Sequence, residues 1–494
     1  MGSMAIKMDE RFPVLDDPLP HDTSLQAFMV STTRGFLPRM DPIVTLPAEF
    51  DVLESILQRM PVKTLSGEPG LLAHGQLGDV VKEELPDLTD AVDKYKDNLP
   101  LMNALYRDYS FLASAYLLEP CHLRFIKGEP YGLARDTLPK NISRPIARCA
   151  ALCEFKPFME YAGSYALFNY RLADPSLGLV YSNLRLIRAF EHGLDPSSSE
   201  AGFVLVHIDM VRNSGPLVAG TMQCLDSLTT PTPQTRTEFN TGLATILDSL
   251  KKVNGVMETM WTKSKPNSYT SFRTFIFGIT SQSMFPKGVI YEGVEDGPQE
   301  FRGESGANDS MIPLMDNFLE IPMPNTPLTE ILKDFRQYRP SNHRGFLEWV
   351  KTRSGTLGLR SWVWNTPPNK QEAVESKRLW LKVLNQVRDF RWRHWCFARE
   401  YILKQTSHPT ATGGSPIVTW LPNQLHAVLA EMATLGSSME KDGNLGEECG
   451  DIVDLVRRQQ KTLWKEVSKY CEERGVEMTM TPIPEYHEGV SVSA

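Results

Sequence analysis

Residues 369–405, NKQEAVESKRLWLKVLNQVRDFRWRHWCFAREYILKQ, constrain the fold more than any other stretch. Val383, Val387, Phe390, His394, Phe397 and Tyr401 recur at alternating intervals of four and three, which draws one apolar stripe along a helix. A helix this long with a single apolar face needs other helices to bury it. Its oddity is His394, an imidazole in the middle of the stripe. From the residues alone, two readings stand: a core histidine satisfied at both nitrogens, or a metal ligand. Zinc and non-haem iron centres need three or four ligands with visible spacing. A haem brings four nitrogens of its own, so one axial histidine on an apolar wall is enough. Arg391, one turn earlier, could reach a haem propionate or form a surface salt bridge.

The rest of the chain repeats the helical period. DVLESILQRM (51–60) puts Val52, Ile56 and Met60 on one face, and residues 85–120 read as one or two amphipathic helices ended by Pro120. Further helices are expected over RPIARCAALCEF, over 161–175 up to Asp174-Pro175, and over 180–194. GFVLVHIDMV (202–211) fits a buried strand or a buried helix, and its helical flanks favour the helix. Residues 1–50 are Pro-rich and read as an extended arm, 193–202 as a linker, and 291–310 and 406–416 as Gly-containing loops. Residues 238–264 have strong helical periodicity, and two amphipathic segments follow 416. The expectation is an all-α, predominantly helical protein, with a small N-terminal domain (1–192) and a large helical domain (193–494) that would hold a haem.

Bulk properties narrow the function. The chain of 494 residues carries a net charge of −8 and no Lys/Arg block with interleaved aromatics, which argues against a nucleic-acid surface. No apolar run is long enough to span a membrane. The N-terminus lacks a basic-then-apolar signal pattern, and Ile6 stands where N-myristoylation wants Ser or Thr. Seven scattered cysteines form no CxxC pair; Cys149 and Cys153 could share a helix face without a second ligand pair. Reduced thiols in a cytoplasmic, probably monomeric protein are expected.

Several ordered motifs carry a resemblance: YAGSYALFNYRLADP, FRTFIFG, GVIYEGVEDGPQEFRGESGANDS, RPSNHRGFLEWV, RHWCFAREYIL and TGGS. Together, over roughly residues 85–416, the chain resembles the indoleamine 2,3-dioxygenases, haem enzymes that open the indole ring of tryptophan. The resemblance implies haem b (iron protoporphyrin IX) and O2, with His394 as proximal iron ligand and Arg391 against a propionate. It implies that GESGAND (303–309) passes over the distal pocket, with Ser305, Gly306 and Ala307 beside the haem and the following helix offering N–H groups to a carboxylate. Arg273 would bind the substrate carboxylate, a bidentate task that lysine performs poorly. Tyr161, Ser164, Phe203, His207 and Ile276 would line the distal pocket, and Thr412 would belong to a loop that closes over substrate.

The chain departs from the animal members at the pocket. They carry aromatic residues five and four positions before the carboxylate-binding arginine, where Ser268 and Tyr269 stand here. His207 replaces a small serine and Glu304 a glycine. His207 could donate to bound oxygen, accept from the indole N–H, or merely fill volume. The implied activity is insertion of O2 across the indole C2–C3 bond of L-tryptophan to give N-formyl-kynurenine, as in the kynurenine route. The alternatives are the same chemistry on another indole, or a haem protein without catalysis. A retained Arg273 speaks against the last, since a haem carrier has no use for a carboxylate clamp.

Overall fold

The computed structural model describes residues 11–294, 296–323, 333–365, 370–405, 412 and 417–480. The main helices are α1 (Asp51–Arg59), α2 (Leu99–Phe125), α3 (Lys140–Cys153), α4 (Ser199–Val211), α5 (Ser214–Thr229), α6 (Thr235–Glu258), α7 (Pro266–Arg273), α8 (Met311–Phe318), α9 (Ser341–Leu357), α10 (Gln371–Phe397), α11 (Ile417–Lys441) and α12 (Glu447–Arg474). The strands are short: β1 (Thr137–Leu138), β2 (Tyr170–Leu172), β3 (Leu184–Leu186), β4 (Val289–Tyr291) and β5 (Pro298–Gln299). β2 and β3 pair antiparallel; β4 lies between parallel β1 and antiparallel β5. The expected predominantly helical class therefore holds, and 202–211 is helix within α4.

α10 is the axis of the larger part. It packs on α6 and α11 and touches α12. Trp380 and Trp395 on it are fully buried. Each removes on the order of 200 Å² from water, a gross gain of about 5 kcal/mol. Polar side chains fix its register: Asn254 donates to the Gln386 carbonyl at 3.0 Å, and the Trp395 indole N–H donates to Glu466 at 2.7 Å. Beyond Phe397 the helix widens into a π turn, Ala398–Leu403, a form common at functional sites.

Four local expectations fail, each for a tertiary reason. Pro120 does not end α2, which runs on to Phe125. The carbonyl that a proline at 120 leaves without a helical donor belongs to Tyr116, and the Arg135 guanidinium takes it up. α1 buries Leu53, Ile56 and Leu57, and Met60 beyond it, while Val52 faces solvent. Residues 161–175 are not one helix: a single π turn, Tyr161–Tyr165, precedes β2. Residues 180–194 hold a 3-10 turn and β3 instead of an amphipathic helix. Asn169 forces this hairpin, its side chain bonding the backbone of Arg188 in both directions at 2.8 and 3.0 Å.

The expected linker 193–202 is a tight turn over 193–198 that leads into α4. The Glu200 carboxylate accepts N–H bonds from Phe190, Glu191, His192 and Gly193 at 2.6–2.9 Å. Contacts cross the expected division at 192/193, as where the Phe36 N–H donates to the Ser214 hydroxyl at 2.9 Å. The described part of the N-terminal arm is extended yet packed down. Phe12 lies against Phe346, and Phe28 and Phe36 set their rings against His343.

Candidate functional site

A cavity of about 1620 Å³ opens beside α10, and Phe390, Arg391 and His394 line it. α8 contributes Ile312 and Asp316, the preceding loop Gly306 and Asp309, and α11 Trp420 and Gln424. The arm closes one end with Phe12, Leu25 and Met29. The apolar stripe thus divides: Val383 and Val387 are fully buried in helix packing, whereas Phe390, His394 and Phe397 are only partly covered.

Burial first, then the neighbouring His207 and Arg391, holds the His394 imidazole down to about 4. It is neutral at pH 7, with a lone pair available to a metal. Arg391 makes the ion pair that its position allowed, at 2.6 Å from Asp316, and reaches Gln424 at 3.3 Å. Its Nη1 is buried without a hydrogen-bond partner. A neutral imidazole and an orphaned guanidinium nitrogen on one cavity wall, one helical turn apart, fit a haem and its propionate. Among the described residues no group of three or more His, Cys, Asp and Glu could hold a metal ion by itself.

Behind Gly306, at the edge of the cavity, lies a second, buried wall built from many segments. His207 on α4 bonds through Nδ1 to the Phe203 carbonyl at 2.8 Å. A carbonyl only accepts, so Nδ1 carries the proton and Nε2 keeps its lone pair in the neutral ring. Burial also pushes the His207 pKa down, which favours that neutral form. Of the roles open to His207, donation from Nε2 is removed by this tautomer and acceptance remains. Nε2 faces Gly306, where a methyl group would come within 3.6 Å of it. The rings of Tyr161 and Phe203 stand edge-on to His207 at 5.8 and 5.0 Å.

Arg273 ends α7 and is fully buried. Its guanidinium lies over the Phe277 ring at 4.6 Å and is hydrogen-bonded to Tyr269, whose own ring meets Phe203 at 5.1 Å. Tyr131, missed in the sequence reading, adds its field to Arg273; no spacing in the chain marks it. Ser268 is half-buried and Ile276 fully buried, in the 3-10 turn after α7. A glycine crossing holds the 303–306 segment against this turn. A Cβ on Gly278 would fall 2.0 Å from the Gly303 nitrogen, so neither residue can carry a side chain without backbone movement.

Thr412 joins the same place: its hydroxyl donates to the Glu304 carbonyl at 2.7 Å, and its carbonyl accepts from the Gly278 N–H at 3.0 Å. The rest of the expected closing loop, 406–411 and 413–416, lies outside the described residues. Glu304 itself is buried, and burial followed by the nearby Glu160 carboxyl pushes it up to about 8.

Two expected roles change. Ser164 does not offer its hydroxyl to the pocket, because that hydroxyl donates to the Glu160 carbonyl at 2.8 Å and accepts the Glu160 N–H at 2.9 Å. The N-terminus of α8 does not await a ligand carboxylate; Asp309 already accepts the Met311 N–H there at 2.8 Å. Ser305 and the Gly306–Asn308 3-10 turn, which includes Ala307, follow Glu304, and the Ser305 carbonyl accepts from Asn308 at 2.9 Å. Glu160, Asp309 and Arg339 are buried polar groups of the site that the sequence reading passed over. Glu160 was detectable in principle, as an acid just before YAGS that could cap it.

Residues 24–457 match the family model described as indoleamine 2,3-dioxygenase. The chain is similar to indoleamine 2,3-dioxygenase 1 of Mus musculus, at 25% identity over 63% of this chain and 70% of that protein. It is similar to indoleamine 2,3-dioxygenase nanC of Aspergillus nanangensis, at 24% identity over 81% of this chain and 91% of that protein. It is also similar to 6-hydroxytryptophan 2,3-dioxygenase fscD of Fusarium equiseti, at 22% identity over 67% and 74%. Among the described residues no helix is long and apolar enough to cross a membrane. The match covers most of the chain, including α4, α7, α8 and α10, and the chain belongs to the indoleamine 2,3-dioxygenase family of dioxygenase enzymes.

Proposed function

We propose that this protein binds haem b through His394 and adds O2 across the C2–C3 bond of an indole amino acid, L-tryptophan giving N-formyl-kynurenine. Both oxygen atoms end in the product and the C2–C3 bond breaks. The observation that carries the reading is a neutral His394 on the cavity wall beside His207, together with a buried Arg273 in the cluster reached from His207 through Phe203 and Tyr269. One wall suits a haem and the other a carboxylate.

When bound, the haem supplies the iron at which oxygen is activated. The chain supplies the positioning. Arg273, braced by Tyr269 and the Phe277 ring, forks onto the substrate carboxylate. Phe203, Tyr161 and Ile276 exclude water around the indole, and His207 Nε2 accepts the indole N–H. Fixing the substrate at both ends is catalysis by orientation, which needs no strong general base. Arg391 holds a propionate, and Thr412 ties the closing loop to the 303–306 segment.

The test is direct. Haem-loaded, reduced protein is given L-tryptophan and O2, and product absorbance is followed. Formation of N-formyl-kynurenine is expected. A haem-loaded ferrous protein that cleaves no indole amino acid would sink the proposal. A second reading, the same chemistry on a substituted indole, is favoured by Glu304 in the pocket and by a relative named for 6-hydroxytryptophan.

A further inference from the structure

Three buried polar ends converge beside the distal wall with nothing to bond. The hydroxyls of Tyr161 and Tyr165 are buried without hydrogen-bond partners. The two residues stand at either end of the π turn, itself fixed by Glu160, which accepts from the Ala162 and Gly163 N–H groups. The π turn packs against the Gly306–Asn308 turn that follows Glu304, and the Glu304 charge is felt at both phenols, after that of Asp309 at Tyr161 and of Glu200 at Tyr165. It is only 4% exposed, and among the described residues no hydrogen bond or ion pair reaches its carboxyl. Leaving a buried polar group unsatisfied costs about 1–3 kcal/mol, so the two phenols in one turn are a standing cost to the ligand-free fold. A ligand that brings matching polar atoms removes it.

We propose that Glu304, with the Tyr161 and Tyr165 hydroxyls, forms a specificity subsite for a hydroxyl or amino group on the benzo ring of the indole substrate. The proposal rests on the reading of the chain as an indole-cleaving dioxygenase and names the substrate class of that same site. Two observations set the far ring, not the amino-acid end, against Glu304. The ammonium and carboxylate of an amino acid share one carbon, so a partner for the ammonium belongs beside Arg273. The groups that interact with Glu304 are instead an acid, Glu160, and the phenols Tyr161, Tyr165 and Tyr269; Tyr269 feels both Glu304 and Arg273, while Glu304 is not among the charges that act on Arg273. A carboxyl in that company is held in its acid form at neutral pH, able to donate one hydrogen bond and accept another. That complements a hydroxyl or amino group and repels none. A benzo ring without a polar substituent leaves all three ends unbonded, which a site built for hydrogen bonding penalises strongly.

The experiment uses the haem-loaded protein with L-tryptophan, the four benzo-ring-hydroxylated L-tryptophans and indole-3-propionate. Binding is read from the ferric Soret shift and turnover from kcat/KM, for wild type, Glu304→Gln, Glu304→Gly and Tyr165→Phe. At least one hydroxylated isomer is expected to exceed L-tryptophan by about tenfold or more in affinity. That ratio should collapse in Glu304→Gly and fall part-way in Glu304→Gln, which keeps shape and hydrogen-bonding capacity, and in Tyr165→Phe. The proposal is overturned if wild type favours unsubstituted L-tryptophan over all four isomers, or if the ratio is unmoved in Glu304→Gln and Glu304→Gly. It is equally overturned if these variants alter only the discrimination between L-tryptophan and indole-3-propionate, since Glu304 would then read the ammonium. Absence of turnover with every indole defeats the dioxygenase reading, while the binding ratios still decide the subsite.

Discussion

On one side of the cavity, Phe390, Arg391 and His394 stand on a single helix. Behind Gly306 at its opposite edge, Tyr161, His207, Arg273, Glu304 and Thr412 come from five separate segments, held by a π turn, a glycine crossing and a carbonyl bond from Thr412. The helical wall needs only local periodicity and a place to pack. The opposite wall exists only when distant parts of the chain meet, and it keeps buried polar atoms that no neighbour satisfies. A wall of the first kind suits a cofactor that stays. A wall of the second kind suits a ligand that comes and goes and can be exchanged for another by single substitutions.

The largest expected effect tests the helical wall. His394→Ala should abolish normal haem loading while leaving the helical circular dichroism intact, because the side chain is partly uncovered and outside the helix packing. A variant that keeps the wild-type Soret spectrum would refute the ligand assignment. Next comes the opposite wall: Arg273→Ala should retain haem and lose on the order of 100-fold in kcat/KM, about 3 kcal/mol, with Arg273→Lys recovering little. Unchanged kinetics in both would remove the carboxylate clamp.

Gly278→Ala probes the crossing itself. With a new methyl placed 2.0 Å from a backbone nitrogen, a loss of about 1–3 kcal/mol in stability is expected, with activity falling more than haem binding. Equal damage to both functions would show that the two walls are not independent. The smallest effect is a pH slope. Burial raises both Glu160 and Glu304 to about 8, so their acid forms favour the folded state. Their contribution to stability is complete below about 4.5 and is lost as pH rises through about 8. Thermal unfolding of the haem-free protein should therefore shift down between pH 6 and 8, and less so in Glu304→Gln. An identical slope in that variant would mean that Glu304 does not titrate in the fold.

The same contrast explains what could be read from the chain. α10, α6 and the two closing helices follow from a 3.6-residue period that their own residues carry, whereas α4, apolar nearly all round, was read from its helical flanks. Residues 161–194 misled, because their apolar residues, Tyr165, Ala166 and Phe190 among them, are buried from several directions around the β2–β3 hairpin rather than on one helix face. Pro120 misled because the arginine that rescues its turn lies fifteen residues on, in an irregular stretch. Ser164 had the right neighbours, but the bond it makes is to a backbone four residues back.

By itself, then, the sequence determined the helical class, the position of His394 on an apolar helical stripe, and, through ordered motifs, the family. Periodicity is a local property, and one helix suffices to display a ligand. Only the tertiary structure decided that Ser164 turns away, that Asp309 fills the α8 terminus, that His207 presents a lone pair, and that Glu304 meets two unsatisfied phenols. Each of these depends on which group arrives from elsewhere in the chain to bond or bury another, and no stretch of sequence carries that information alone.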